Sequence, residues 1–374
     1  MKKVLFTLMC LVTMLVAGTN LKAQEVTITL MPGWTWISCP GTDTLDFATA
    51  MGTFTPAEGD VFQSQITNAV YTNGQWRGTI SRFYPGYGFK YKSNRTEPVT
   101  VTFNTHVSQS DAPTGAIDGV FSVNDSTQVY FSQGNLQYQA STNTWRFAEH
   151  QWDYVGSDNG NLSSTYSGWI DLFGWGTSGW DSGNTYFHPW DYNNSSGSQY
   201  GRPGQGGLTG SYAHADWGYY NPISNGGNTT HTWRTLLMEE WDYVFNTRST
   251  ASGIRYAKAQ VNGVNGIILL PDDWNVATYN LNDTNTDNAA YSSNAISATE
   301  WNTLENAGAV FLPAAGYRFG TSVGDVGSCG YYWSASYFNS SYAYLISIKA
   351  ASFSSSNASN RSYGRSVRVV CPVE

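Results

Sequence analysis

Between Trp180 and Asn221 aromatic rings alternate with carboxylates and carboxamides: Trp180-Asp181, Trp190-Asp191-Tyr192-Asn193-Asn194 and Asp216-Trp217-Gly218-Tyr219-Tyr220-Asn221. That pairing suits a sugar, whose C–H faces stack on an indole or phenol while its hydroxyls need amide and carboxylate partners. The expected contact residues are Trp180, Trp190, Asp191, Tyr192, Asn193, Tyr219 and Tyr220, with Trp175 and Trp217 assigned to the core.

Residues that could break bonds are harder to assemble. Gly320-Thr321-Ser322-Val323-Gly324 has the string of a nucleophile elbow, but an elbow needs a helix after its serine, and Asp325-Val326-Gly327 follows. His106, His150, His188, His214 and His231 never fall at spacings that place two on one helix face, and His214-Ala215-Asp216 is the nearest approach to a chelate. The pairs Glu239-Glu240 and Asp272-Asp273 are adjacent, so on a helix their side chains diverge and cannot share a proton; Glu240 suits a structural role at a helix start. No catalytic residue, metal ligand set or cofactor is expected.

The elements that must hold the aromatic stretch follow from pattern. Residues 1–23, with Lys2-Lys3 ahead of an apolar run from Val4 to Ala17, have the form of a secretory signal peptide, which places the protein outside the cell or on its surface. Its removal leaves 16 basic against 27 acidic residues in a 374-residue chain of 12% charged and 15% aromatic content. With no basic cluster, nucleic acid is excluded as a partner, and no later run of apolar residues is long enough to span a membrane as a helix. Cys39, Cys329 and Cys371 remain; either Cys329 and Cys371 form a bridge or all three pack as small apolar residues.

An all-β module is expected over residues 24–104, with Val26-Thr27-Ile28-Thr29-Leu30 alternating and Asn73-Gly74 turning a hairpin. Paired aromatics, Trp34 and Trp36 and the run Tyr84 to Phe89, are expected at turns. A linker over 105–115 leads to a second domain, 116–374, of short strands and only two good helices. One carries a stripe at residues 237, 241, 244 and 245; the other opens on the capping box Ser297-Ala298-Thr299-Glu300. Residues 152–231 show neither helical stripe nor β alternation, yet hold too many rings for a flexible linker, and an ordered loop excursion is expected.

Trp233-Arg234-Thr235-Leu236 leading to Glu240-Trp241, then Phe311-Leu312-Pro313-Ala314-Ala315-Gly316-Tyr317-Arg318, Gly330-Tyr331-Tyr332-Trp333-Ser334-Ala335-Ser336 and Val367-Arg368-Val369-Val370 resemble the Fibrobacter succinogenes major paralogous domain. That resemblance covers residues 116–372 and implies an α+β, C-type-lectin-like domain, more distantly similar to the formylglycine-generating enzyme fold. Leu237 stands where that family has a threonine helix cap, so the helix is expected to begin a turn earlier. The calcium-binding tripeptides of the lectins are absent, and Cys329 and Cys371 lack the setting of the enzymes' metal-binding pair. Gly33-Trp34-Thr35-Trp36-Ile37-Ser38 resembles a β module of exported Bacteroidetes proteins. The implied function is a non-enzymatic exported protein that binds a polysaccharide or a cell-surface protein; the alternatives are an assembly component of the cell envelope and, third, an enzyme on this fold.

Overall fold

The computed structural model describes residues 26–38, 45–46, 54–80, 82–83, 88–103, 112–181, 183–192, 200 and 207–373. Residues 1–23, read from the sequence as a signal peptide, lie outside these residues, as do Cys39, the expected linker as far as 111 and Asn193. The chain divides into two compact units, 1–110 and 111–374. Strand accounts for 38% and helix for 14%, so the protein is mostly β-sheet with few helices.

In the first unit, a five-stranded antiparallel sheet runs in the order Gly33–Ser38, Gly88–Ser93, Val61–Gln63, Asn68–Thr72, Gln75–Gly78. Asn73 (φ 52°) and Gly74 (φ 76°) make the last hairpin turn, both at positive φ as a type I′ turn requires. Period-two alternation sends Ile37, Phe62, Ala69, Phe89 and Tyr91 inward. Asp60 is buried beneath them and accepts from the Tyr91 hydroxyl and from the backbone N–H of Asn94 at 2.7 Å and Ala57 at 2.8 Å. Trp34 and Trp36 are strand residues, correcting the turn expectation: they face away from Ile37, and alternation alone decides that.

The second unit holds two four-stranded sheets and one of three strands. Val369–Pro372, almost the last residues of the chain, lies between Gln128–Ser132 and Arg234–Thr235, so the two ends of the domain close on each other. Tyr256–Val261 pairs with Val264–Leu269, which in turn pairs with Val310–Pro313, in a second sheet. The hairpin pair Cys329–Tyr337, Tyr342–Lys349 and Ser352–Asn360 forms the third. Gly119 and Gly308 permit a backbone crossing, since a Cβ on Gly119 would sit 2.3 Å from the Gly308 carbonyl oxygen.

The helix Ala298–Asn306 starts as its capping box requires: Glu300 Oε2 accepts the Ser297 N–H at 2.8 Å, and Ser297 Oγ accepts the Glu300 N–H at 3.2 Å. The other helix, Met238–Asp242 followed by a π turn to Thr247, begins at Leu237 and not a turn earlier. One half of a capping box survives, and a serine from another strand supplies a cap oxygen that Leu237 cannot. Glu240 Oε2 accepts the Leu237 N–H at 2.8 Å while Arg234 grips both of its oxygens at 2.6 Å, and Ser336 Oγ, distant in sequence, accepts the Met238 N–H at 2.9 Å.

The described part of residues 152–231 is a loop excursion with short 3₁₀ turns and one four-residue helix, Trp217–Tyr220. It is not held by regular ladders; its rings hold it. Trp175 and Trp217 are fully buried, and their indole N–H groups donate to the Ser334 carbonyl (2.8 Å) and to Thr177 Oγ1 (3.3 Å). Trp333 reciprocates, donating to the Phe173 carbonyl at 2.8 Å. Among the described residues no helix is long and apolar enough to cross a membrane.

Candidate functional site

A cleft of about 370 Å³ opens in the second unit, lined by Tyr138, Asn143, Ser164, Ser178, Gly179, His188, Pro189, Trp190, Tyr220 and Asn221. Five separate segments supply it. Tyr138 lies on the strand Leu136–Gln139, and Asn143, at φ 49°, turns the chain back into Thr144–Phe147; the Tyr138 hydroxyl donates to Asn143 Oδ1 at 3.0 Å. Burial raises the pKa of the Tyr138 phenol, so it stays neutral.

Trp190 follows the 3₁₀ turn Thr185–Phe187 and stacks on His188, ring centroids 4.6 Å apart and planes 11° from parallel. Tyr220 closes the Trp217–Tyr220 helix, whose N-cap is Asp216. That carboxylate takes N–H bonds from Gly218 (3.1 Å) and Thr235 (2.7 Å), tying the cleft helix to the strand beside Val369–Pro372. Burial pushes its pKa up to about 6, against the lowering effect of those bonds. Asn221 donates to the carbonyls of Ser178 (2.9 Å) and Trp217 (3.1 Å), closing the floor.

Two buried arginines hold the excursion from behind. Arg318 donates to the carbonyls of Asp191 (3.1 Å), Leu172 (3.3 Å) and Gly320 (2.9 Å); Arg361 donates to the Tyr200 carbonyl at 3.2 Å with its guanidinium 4.5 Å from the Trp175 ring centre. Desolvation lowers the pKa of each to about 10, which leaves both charged at neutral pH. A second fully buried carboxylate, Asp171, accepts from Asn159 (2.7 Å) and from the Val155 N–H (2.8 Å), and burial raises it to about 6.

Of the expected contact residues, Trp190 and Tyr220 line the cleft. Asp191 does not: it is buried and its carboxylate accepts from the Tyr200 hydroxyl, which makes it part of the loop's internal support. Trp180 is half-buried between Phe187 (4.7 Å) and His214 (4.2 Å), and so belongs to the packing of the excursion. Tyr192 is half-exposed outside the cleft, and Tyr219 turns to the His231 ring at 4.4 Å. Asn193 lies outside the described residues. Sequence reasoning missed Tyr138, Asn143, Ser164 and His188, and only the isolated turn at Asn143 and the His188-Pro189-Trp190 run gave any signal for them.

No family model, curated protein or solved structure matches the chain. The cleft's chemistry therefore rests on its own residues. No Asp, Glu, Lys or Arg is among the described lining residues, so these offer rings, hydroxyls and amides without a fixed charge. Ser322, the serine of the elbow-like string, sits in a tight hairpin between Tyr317–Phe319 and Ser322–Gly324 with no helix after it. Among the described residues no three His, Cys, Asp or Glu side chains converge. Cys329 and Cys371 are free thiols on strands of different sheets, which overturns the bridge; burial raises Cys371 to about 12, so it remains a thiol and packs as an apolar residue. A thiolate-pair metal site does not fit these two residues. Asp272 is engaged by Arg248 Nη1 (2.8 Å) and by Ser122 (N–H 2.8 Å), so it has an internal role.

Proposed function

We propose that this chain is an exported, non-enzymatic binding protein that holds a neutral stretch of polysaccharide in the cleft between Trp190, Tyr220 and Tyr138. The observation that carries the reading is the lining itself: the rings of Trp190 and Tyr220 beside the hydroxyl of Ser164 and the carboxamide of Asn143, with no charged side chain among the described lining residues. An uncharged polyol matches that set, because its C–H faces cover rings and its hydroxyls meet donors and acceptors without leaving a buried charge unpaired. The separated motifs around Trp233-Arg234, Phe311–Arg318 and Gly330–Ser336 support a C-type-lectin-like domain as its scaffold, and the leader-like first 23 residues support export.

The test is affinity electrophoresis and a glycan array on the chain from residue 24, repeated with Trp190→Ala and Tyr220→Ala. Retention by a neutral glycan that falls about tenfold or more in either variant is the expected result, as for the loss of an aromatic anchor. Equal retention of both variants rejects the cleft. If sedimentation instead shows concentration-dependent polymers and no glycan is retained, the envelope-assembly reading replaces this one.

A further inference from the structure

The outward face of the first unit's sheet is built unlike the cleft. Trp34 and Trp36, two apart on one strand, project from the same face about 7 Å apart. They are 49% and 72% exposed. Their cross-strand partners are Lys92 and Lys90, and Lys90 Nζ lies 4.4 Å from the centre of the Trp36 ring. The row that starts at Trp34 continues through Lys92, Val61 and Val70 to Arg77; the row that starts at Trp36 continues through Lys90 to Gln63. None of the five strands contains an Asp or Glu, although residues 105–374 carry 21 acidic against 11 basic residues.

We infer that this sheet face is a second binding surface, for an anionic polysaccharide bearing carboxylate or sulfate groups. Two exposed indoles on one face supply stacking positions for successive sugar rings, Lys90 and Lys92 on the neighbouring strand supply cations beside them, and Arg77 adds a third at the far edge of the same sheet, roughly 19 Å away, with no acid within the five strands. A carboxylated or sulfated glycan answers both features at once. A protein partner fits less well: a dry interface over the indoles would strip water from Lys90 and Lys92, whereas a hydrated sugar chain leaves them solvated. Nucleic acid would need a longer run of phosphate contacts than three cations provide. The surface differs from the cleft in ligand charge and in its dependence on salt.

The experiment uses the chain from residue 24 in affinity gels containing polygalacturonate, dextran sulfate or unmodified dextran, with sedimentation in parallel. Retention by one or both anionic polymers and not by dextran is expected, weakening as sodium chloride rises from about 0.05 to about 0.5 M. Polygalacturonate and dextran sulfate separate carboxylate from sulfate recognition. Trp34→Ala with Trp36→Ala should lower that retention about tenfold or more, and Lys90→Gln with Lys92→Gln should lower it and flatten its salt dependence. Trp190→Ala should leave it unchanged, which separates this surface from the cleft. The inference is overturned if neither anionic polymer retains the protein, if both double variants are retained like the parent, or if the tryptophan pair abolishes self-association with no effect on glycan.

Discussion

Both units are rich in indoles, yet the two sets of rings do opposite work. In the excursion of the second unit Trp175 and Trp217 are fully buried and spend their N–H groups on neighbouring backbone and side-chain oxygens. In the first unit Trp34 and Trp36 stand in solvent with a lysine over one of them. Tryptophan content therefore says little about recognition. What decides is whether the backbone around a ring can satisfy itself: a strand does so through its ladder and may leave the ring outside, whereas a loop without a ladder needs rings as its core.

The contrast is broken most severely by truncating rings on each side. Trp175→Ala or Trp217→Ala should cost about 3–5 kcal/mol, seen as a large drop in the denaturant midpoint of the second unit. Arg318→Met should come next, at roughly 3 kcal/mol, because the carbonyls of Asp191, Leu172 and Gly320 lose their common donor. It should also loosen the cleft, lowering neutral-glycan retention while sparing any anionic retention by the first unit; equal loss of both would show general unfolding.

A pH scan sharpens the same contrast. Asp171 and Asp216 are fully buried with pKa values raised from 3.8 to about 6, so the folded chain binds protons that the unfolded chain releases between those values. Their contribution to stability is therefore greatest below about pH 4 and falls as pH rises through about 6, by up to roughly 3 kcal/mol for each. Thermal melts of the second unit should show its midpoint lower at pH 7 than at pH 5, and Asp171→Asn should reduce that difference. A slope unchanged in the variant would refute the assignment. Smaller again, Ser336→Ala should cost about 1 kcal/mol by removing the acceptor for the Met238 N–H. Smallest is Trp36→Ala, within about 0.5 kcal/mol of the parent by chemical denaturation, as befits a ring left in solvent.

Local rules made several pieces legible. Asn73-Gly74 can only be a tight hairpin turn where both residues take positive φ, and Ser297 with Glu300 closes a helix start within four residues. Trp190 and Tyr220 were visible as candidates because rings among amides stand out in a chain with so few charges. Their neighbours were not. Tyr138 and Asn143 reach the cleft from a hairpin far from residues 188–221 in sequence, and neither spacing nor composition announces such a meeting. Asp191 misled for the converse reason: an acid between aromatics has the look of a ligand contact, and only the Tyr200 hydroxyl beside it shows that its partner is internal.

By itself, then, the order of amino acids determined what short-range chemistry controls: which segments alternate, where two strands must turn, which serine begins a helix and how little charge the chain carries. Tertiary structure alone decided which rings of the excursion face water, that a serine nearly a hundred residues away would cap the helix at Leu237, and that four other segments would meet around Trp190. The reason is physical: a turn or cap is satisfied within a few residues, but burial and the shape of a cleft depend on every segment that packs against it.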